Sequence, residues 1–166
     1  MWSRSLTDCT PELADLAATL RREFERKRVP FFLGISRTAV SLDVQEAIRM
    51  QGRETLSVVN AKRQKSGLWL ITPKENVEVT WTDPRSSLHV VAPGLRDKAE
   101  AVDFMVMTDP DGPGPLKPIV APEDEGQYRY MGALAVRMGL EWGGNFRNAA
   151  GKPRPDWGHV QLRKIA

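Results

Sequence analysis

Two histidines and two aspartates are the residues of this chain whose types and spacing suggest chemistry. His89 and His159 are the only histidines; Asp156 precedes His159 in the stretch DWGH, and Asp103 lies in the apolar stretch AVDF. Hydrolytic zinc sites commonly use three protein ligands and leave the fourth position for water. A nearby carboxylate then accepts the proton of that water molecule. The two imidazoles and Asp103 would supply three ligands, and Asp156 would supply the base.

The residue types alone leave a structural alternative open. A carboxylate in an apolar strand is costly to bury unless it is paired or bound to a metal. Asp103 would meet that requirement equally well by pairing with an arginine. A single histidine is more often structural than a ligand, and the spacing D-x-x-H is nearly uninformative. Because Gly158 permits a tight backbone path, we predict that Asp156 turns back over the site on a flexible hinge.

Composition places the chain among ordinary soluble globular proteins. Of its 166 residues, 41% are hydrophobic and 27% are charged, which is typical of one domain with a real core. No apolar run approaches the roughly 18 residues that cross a bilayer, so we expect no stable membrane association. The single cysteine, Cys9, excludes an internal disulfide and a cysteine zinc cage. The N-terminal stretch carries no secretory signal, which predicts synthesis in the cytoplasm.

The charge pattern argues against a nucleic-acid partner. The formal net charge is +3 and the isoelectric point is about 9.2. The charges are interspersed except in RREFERKR (21–28), which indicates the solvated side of a helix. A nucleic-acid reader usually shows a denser basic stripe with aromatic residues in it. We therefore predict no nucleic-acid binding, and we expect a monomer.

The first half of the chain shows signals for two helices and one strand. A threonine–proline pair followed by leucines at helical spacing predicts an amphipathic helix over 11–28. The run VPFFLGIS predicts a buried strand over 29–36. A second helix is predicted between its cap, Ser41, and Gly52, which is placed to end it.

The second half of the chain contains more strand signals than helix signals. In order, it is predicted to form a β-hairpin of LWLIT and VEVTW, a strand over 101–108, a loop over 109–118, a helix over 123–138 that Gly139 ends, and a strand over 159–165. Strands and helices mix without regular alternation, which predicts an α+β fold with a small antiparallel or mixed sheet and flanking helices. We expect one domain over 1–166, with a helical part over about 1–65 and the sheet over about 66–166.

Several short motifs resemble, in their joint order, one family of enzymes. SSLH, AEAVDF, LEWGGNF and DWGHVQL resemble signatures of the zinc-dependent D-Ala-D-Ala carboxypeptidase and L-alanyl-D-glutamate endopeptidase family, with the phage endolysins as its closest branch. ISRTAVSLDVQEAIRMQGRE is similar to the family's arginine-containing strand, glutamine-containing helix and QGR sequence. The resemblance spans roughly residues 35 to 162. It implies a fold like that of the Hedgehog domain and the DD-peptidases.

The resemblance assigns roles to individual residues. It implies that His89, Asp103 and His159 bind Zn²⁺ and that Asp156 is the general base. It also implies that Arg37 holds the substrate or the developing oxyanion, a task that suits a guanidinium group.

Further residues are expected around the metal or the substrate. The resemblance places Ser87 before the first histidine, where it would orient the loop, and Gln161 beyond the last one, where it would contact a ligand. It also places three more residues of the motifs near the site: Gln45, Trp142 and Asn145.

The chain departs from the family pattern in three places. Thirteen residues separate the first histidine from the strand aspartate, but lengthening a loop costs only about 0.6 kcal/mol per doubling, so the two can still meet. Asn145 stands where the family has an aspartate, which favours a structural role over a catalytic one. Residues 64–83 exceed the usual connection and predict an added hairpin beside the site.

Trp2, Trp69 and Trp81 are predicted to lie in the core or on the sheet surface rather than to stack on sugars.

The function that the resemblance implies is hydrolysis of the bacterial cell wall. It predicts a zinc peptidase that cleaves peptidoglycan stem peptides, its expected partner, at the L-Ala–D-Glu bond. Two alternatives remain open: cleavage at a D-Ala–D-Ala bond, and an inactive metal-containing domain that binds the wall or another protein. By analogy with phage lysins, the protein would reach the wall after release through a membrane pore.

Overall fold

An antiparallel sheet and four α-helices form the part of the chain that the computed structural model describes, which is residues 1–28, 30–108, 117–118 and 125–163. The helices are α1 (Pro11–Lys27), α2 (Leu42–Met50), α3 (Leu56–Lys65) and α4 (Glu125–Arg137). The strands are β1 (Phe31–Arg37), β2 (Ala101–Thr108), β3 (Lys117–Pro118), β4 (Leu140–Trp142) and β5 (His159–Leu162). The predicted α+β fold, with a small sheet and flanking helices, is confirmed.

The register of the sheet places three of the candidate site residues in one row. The strand order is β1-β2-β5-β4, every neighbouring pair is antiparallel, and the short β3 adds to β2. Arg37 pairs with Asp103, and Asp103 pairs with His159. Directly opposite residues of antiparallel strands carry their side chains on the same face, about 4.5–5.5 Å apart. Because β1 comes from the predicted helical part, both halves of the chain contribute to this sheet.

Helix α1 anchors the main core. It begins as predicted at Pro11, where the Thr10 hydroxyl accepts a hydrogen bond from the backbone N–H of Leu13. Its buried side chains recur at helical spacing and pack against the sheet and α4: Leu13, Ala17, Leu20 and Phe24. The spacing of apolar residues is sufficient to predict this helix, because one face of the helix is buried and the other is solvated.

Glycines end two of the helices as predicted, whereas one helix escapes prediction. Gly52 follows α2 and Gly139 follows α4, with φ angles of 72° and 87°, which disfavour any other residue. Helix α3 buries only Val59 and Arg63. It therefore lacks the apolar stripe by which an amphipathic helix is recognised in a sequence.

The predicted β-hairpin is wrong. Residues 68–72 and 77–81 form no strands, and the connection between α3 and the first histidine is irregular apart from a 3₁₀ turn at Pro73–Glu75. The added hairpin expected within 64–83 is therefore absent, although this segment does lie beside the candidate site.

Side chains from α3 explain why the hairpin does not form. Asn60 accepts a hydrogen bond from the N–H of Ile71 and donates one to its C=O, both at 2.9 Å. Arg63 donates from Nε to the C=O of Trp69 at 2.8 Å. Backbone groups that a second strand would satisfy are thus satisfied by the neighbouring helix. Apolar alternation along the chain cannot reveal such partners.

Some predicted elements extend beyond the described residues. Outside them lie residue 29 of the first predicted strand, residues 109–116 of the predicted loop, residues 123–124 of the last predicted helix and residues 164–165 of the closing strand. Within the described residues, the two strands and the helix are present as β1, β5 and α4, each about one residue shorter than predicted at one end, whereas the last two residues of the predicted loop form the strand β3. Within the described ranges, no helix combines the length and the apolar character needed to cross a bilayer.

Candidate metal centre

Three buried or nearly buried side chains converge at the row of β1, β2 and β5. His89 Nε2 lies 3.1 Å from Asp103 Oδ1, His159 Nδ1 lies 2.9 Å from the same oxygen, and the two nitrogens lie 3.3 Å apart. Metal–ligand bonds of about 2.0–2.1 Å in a tetrahedral arrangement place neighbouring ligand atoms about 3.3 Å apart. The three atoms thus have the spacing of a metal site, and His89, Asp103 and His159 form a candidate metal-binding triad.

The tautomer of His89 is fixed by a backbone carbonyl. Its Nδ1 lies 2.7 Å from the C=O of Thr38, which can only accept a hydrogen bond. Nδ1 therefore carries the proton, and the lone pair of Nε2 faces Asp103. Burial lowers the pKa of His89, which favours the neutral imidazole that a metal requires, although the charge of Asp103 opposes this shift.

A chain of side chains fixes the tautomer of His159. Gln161 Nε2 donates to Glu141 Oε2 at 2.7 Å, so the amide oxygen of Gln161 faces the imidazole. His159 Nε2 lies 2.9 Å from that oxygen and donates to it. The lone pair of Nδ1 is thereby directed at Asp103, and both imidazoles present acceptor nitrogens to the same point.

The carboxylate of Asp103 is held in its charged form. Burial alone would raise its pKa, but interactions with His89, with the charged Arg37 and with His159, when that imidazole carries a proton on both nitrogens, keep the pKa well below its usual range. Arg37 contacts only one carboxylate oxygen: its Nε donates to Oδ2 at 2.7 Å, and its Nη2 contacts the same atom. Oδ1 is left for the imidazoles, as a metal-binding carboxylate would require.

The pKa of His159 differs in direction from that of His89. Burial alone would lower the pKa of His159, but the hydrogen bond to Asp103 and the charges of Asp103 and Asp156 raise it above its ordinary value. A proton and a metal ion would therefore compete for the same position between this imidazole and the carboxylate.

Asp156 lies at a cavity of about 120 Å³ that both imidazoles also line. The residue remains accessible to solvent, yet desolvation by the surrounding protein and the charge of Asp103 raise the pKa of its carboxyl group. Its backbone is fixed on both sides, because its N–H donates to the C=O of Gly143 and its C=O accepts from the N–H of His159. A carboxylate with a raised pKa beside a candidate metal site suits a general base.

The tryptophan–glycine motif holds the backbone that carries Asp156. The indole N–H of Trp142 donates to the C=O of Trp157 at 3.0 Å. A Cβ atom on Gly143 would lie 2.5 Å from the C=O of Asp156 and 2.8 Å from Cβ of His159. Only glycine lets the turn approach this closely, so Trp142 acts on the site through the backbone of its neighbours rather than by contact with a ligand.

The structure shows no hinge at Gly158, where one was expected. Its φ angle is not positive, so left-handed freedom is not in use. A Cβ atom on Gly158 would collide with the C=O of Phe104, whose N–H donates to the C=O of Gly158 at 2.8 Å. The glycine permits close contact between β2 and the entry to β5.

The remaining expected residues divide between the cavity and its surroundings. Arg37, Gln45, Ser87 and Gln161 line the cavity. Gln45 is 1% exposed, and its side-chain oxygen has no hydrogen-bond partner among the described residues. Asn145 is exposed and lines a different surface depression, so it is not brought to the metal site.

Ser87 lies in the turn that carries His89, as expected. Its N–H donates to the C=O of Asp83, and its own C=O accepts from the N–H of Val90 and from Nη1 of Arg96. These bonds fix the loop before the first histidine through the backbone of Ser87 rather than through its hydroxyl group.

The long connection between the first histidine and the strand aspartate leaves the site intact. Isolated bridges join Val90 to Val40, Ala92 to Arg96, and Ala99 to Cys9. Glu100, the other carboxylate near Asp103 on this connection, lies 3.9 Å from Arg96 and is not part of the triad. The insertion is folded onto the domain and does not separate the two candidate ligands.

Three residues of the site could not be assigned a role from the sequence. Thr38 contributes a backbone carbonyl, which any residue type would provide. Glu141 acts only because β4 pairs it with Gln161, and β4 has three residues, too few for a recognisable pattern. Phe146 packs its ring 5.4 Å from that of His159 across a turn.

The predicted placement of the tryptophans is wrong for two of them. Trp69 and Trp81 are 65% and 41% exposed and line cavities beside the site rather than the core or the sheet. Trp2 is 36% exposed, and its indole N–H donates to the C=O of Ser36 in β1, so it lies against the sheet as expected. The irregular segment that replaces the expected hairpin carries two of them outward.

Comparison of the sequence with models of known protein families gives no match, and comparison with curated proteins gives no significant match. Membership of the family that the motifs resemble therefore stays a prediction. The case for a function depends on the geometry of the triad and its neighbours.

Proposed function

We propose that this protein is a zinc-dependent peptidase that cleaves the stem peptides of peptidoglycan at the L-Ala–D-Glu bond. One observation carries the proposal. Two imidazoles with fixed tautomers and one charged carboxylate direct their ligand atoms at the same point, and Asp156 lines the same cavity. A purely structural cluster has no need of an additional carboxylate with a raised pKa at a solvent-accessible cavity. The ordered motifs support the same family of enzymes.

The triad fits zinc in its chemistry as well as in its spacing. Imidazole nitrogens and carboxylate oxygens are common zinc ligands, and catalytic sites keep three of them and one open position. When bound, zinc would polarise the carbonyl of the scissile amide and lower the pKa of a water molecule. His89, Asp103 and His159 would hold the ion, and Arg37 would keep Asp103 oriented through Oδ2.

Asp156 is proposed as the general base and later the general acid. Its carboxylate accepts a proton from the attacking water molecule and returns that proton to the amine that leaves. Its raised pKa brings it closer to neutrality, where a group can both accept and return a proton.

Arg37 and Gln45 are proposed to bind the substrate beside the reacting bond. Nη1 of Arg37 forms no hydrogen bond with the described residues and is available to an oxygen that develops negative charge. The unpaired side-chain oxygen of Gln45 is buried at the same cavity, which would suit an N–H group of a peptide.

Asp156→Asn tests the proposal because asparagine keeps the shape and removes the base. We expect the purified variant to retain zinc while its rate of wall digestion falls by about 100-fold or more. Asp15→Asn, on the exposed face of α1, is the matched control and should keep full activity. Mass analysis of the released peptides identifies the bond. Undiminished digestion by Asp156→Asn, or protein without zinc after metal reconstitution, would contradict the proposed function.

A further inference from the structure

A second, larger cavity adjoins the metal site. Its volume is about 910 Å³, and Arg37 and Val79 line both cavities. Ligand sites typically occupy about 300–1,000 Å³, so the 120 Å³ cavity at the metal site accommodates little more than the reacting bond. The rest of a peptide must lie elsewhere. We call the larger cavity the tryptophan groove, after Trp2 and Trp69 in its wall.

The wall of the tryptophan groove is apolar and exposed. Trp69 is 65% exposed, and Val77 and Val79 are 55% and 49% exposed. The rings of Trp2 and Trp69 meet edge to face, with centroids 6.3 Å apart. Contiguous apolar surface of this kind marks binding sites more often than chance exposure does.

One buried cation of the groove has no counter-charge among the described residues. Arg63 is 2% exposed. Its Nε donates to the C=O of Trp69 at 2.8 Å and its Nη1 to the side-chain oxygen of Gln51 at 2.7 Å, both of which are neutral acceptors. Within the described part of the chain, no carboxylate forms an ion pair with Arg63 and no hydrogen bond is made by Nη2. The guanidinium lies over the ring of Trp69, 5.0 Å from its centroid, but no anion pairs with its charge. Burying such a charge is costly, and burial lowers the pKa of this guanidinium, with Glu75 opposing.

The remaining charges of the groove add to this excess. Lys74 is a further cation of the lining, and among the residues that the structure describes Glu75 is the one carboxylate there. Oε2 of Glu75 accepts hydrogen bonds from both the N–H and the hydroxyl of Thr72, which turns the acid toward its own 3₁₀ turn. The groove therefore offers an apolar wall and a cationic base, which together complement an anionic ligand with an apolar part.

We propose that the tryptophan groove binds a carboxylate-bearing segment of the peptide substrate, with Arg63 receiving the carboxylate and Trp69 contacting the apolar part. This inference rests on the proposed function, because the occupant is the continuation of the peptide whose bond lies at the metal site. It goes beyond that function by predicting a preference: peptides with a free carboxylate are favoured over their amides.

Two peptides that differ in one carboxylate test this preference. N-acetylmuramyl-L-Ala-D-Glu and its α-amide, N-acetylmuramyl-L-Ala-D-isoglutamine, both with the γ-carboxyl group blocked as a methylamide, are titrated by calorimetry into zinc-loaded Asp156→Asn protein, in which turnover is suppressed. One charge-assisted hydrogen bond corresponds to about a 10- to 100-fold preference for the acid. In the same background, Arg63→Gln should abolish the preference, and Trp69→Ala should lower the affinity for both peptides by the same factor. Val58→Ala, exposed on α3 outside the groove, is the control.

The outcomes separate this proposal from the proposed function. Equal affinity for the two peptides, a preference that survives in Arg63→Gln, or no binding of either peptide would overturn the role of the groove. If Arg63→Gln does not fold, the two peptides on the protein with Arg63, together with Trp69→Ala, still decide the question. Hydrolysis by the unaltered protein is measured separately: hydrolysis without preference removes only the groove proposal, and preference without hydrolysis removes only the peptidase.

Discussion

Replacing Gln161 with methionine removes the acceptor that fixes the tautomer of His159 and keeps the length of the side chain. In the unaltered protein, Nε2 of His159 donates to Gln161 and the lone pair of Nδ1 faces Asp103. Without the acceptor, the proton can move to Nδ1 and donate to Asp103 Oδ1, which stabilises the metal-free protein. Metal binding must then reverse the tautomer and leave a buried N–H without a partner.

The expected cost follows from that single lost contact. Partners of metal-bound imidazoles are typically worth about 10- to 100-fold in metal affinity, which corresponds to about 1.4–2.7 kcal/mol. The cost of one unsatisfied buried donor, about 1–3 kcal/mol, has the same size. We therefore expect the zinc dissociation constant of Gln161→Met to rise by this factor in a competition titration against a chelator of known affinity.

A variant of the neighbouring acid serves as the control for this experiment. Glu141→Gln keeps an oxygen that can accept from the Gln161 amide at 2.7 Å and removes only the charge, so its zinc dissociation constant should change far less. Circular dichroism and thermal melting establish that both variants are folded. An unchanged zinc dissociation constant in folded Gln161→Met would refute the idea that this hydrogen bond prepares His159 for a metal.

Three further predictions concern the packing of the fold, its stabilisation by zinc and its single thiol. Gly158→Ala places a Cβ atom against the C=O of Phe104 and should lower the free energy of unfolding in urea by about 1–3 kcal/mol, whereas Gly126→Ala, with open space around it, should not. Zinc at 100 times its dissociation constant should stabilise the protein by about 2.7 kcal/mol; the melting temperature should fall again with a chelator and not respond to zinc in His89→Ala. Burial raises the pKa of the Cys9 thiol to about 11, so the reactive thiolate should be scarce in the folded protein at pH 8 and increase as the pH approaches 11. Iodoacetamide labelling followed by mass spectrometry should therefore be slow at pH 8 unless urea is present, and rapid labelling of the folded protein would contradict this.

The elements that the sequence predicts correctly are those whose burial follows from the local pattern of apolar residues. Helix α1 buries one face, and β2 is apolar along most of its length, so both patterns are local. The triad is also recognisable in the sequence, because Asp103 is a carboxylate in an apolar strand and both histidines stand in short motifs. The resemblance of those motifs added the roles, which composition and spacing left open.

The elements that escape prediction depend on partners distant in the chain. The segment after α3 looks like a hairpin, but Asn60 and Arg63 take the backbone bonds that a partner strand would supply. Helix α3 in turn buries Arg63 rather than an apolar stripe. Glu141 joins the site only through the pairing of β4 with β5. None of these contacts leaves a periodic trace in the sequence.

Sheet register, rather than loop length, explains how the site tolerates a long insertion. Arg37, Asp103 and His159 occupy directly opposed positions on three adjacent strands. Their convergence is therefore set by the pairing of β1 with β2 and of β2 with β5. A one-residue slip in either pairing would turn a whole strand's side chains to the other face, and the apolar residues that flank Asp103 would then leave the core. His89 reaches the row from a loop, but that loop is fixed by its own turn and by the Thr38 carbonyl on the far side of the ring. The part of the connection that precedes β2, residues 92–98, can therefore vary in length without moving any of the three candidate ligands, because the pairing of β2 with β5 begins only at Ala101.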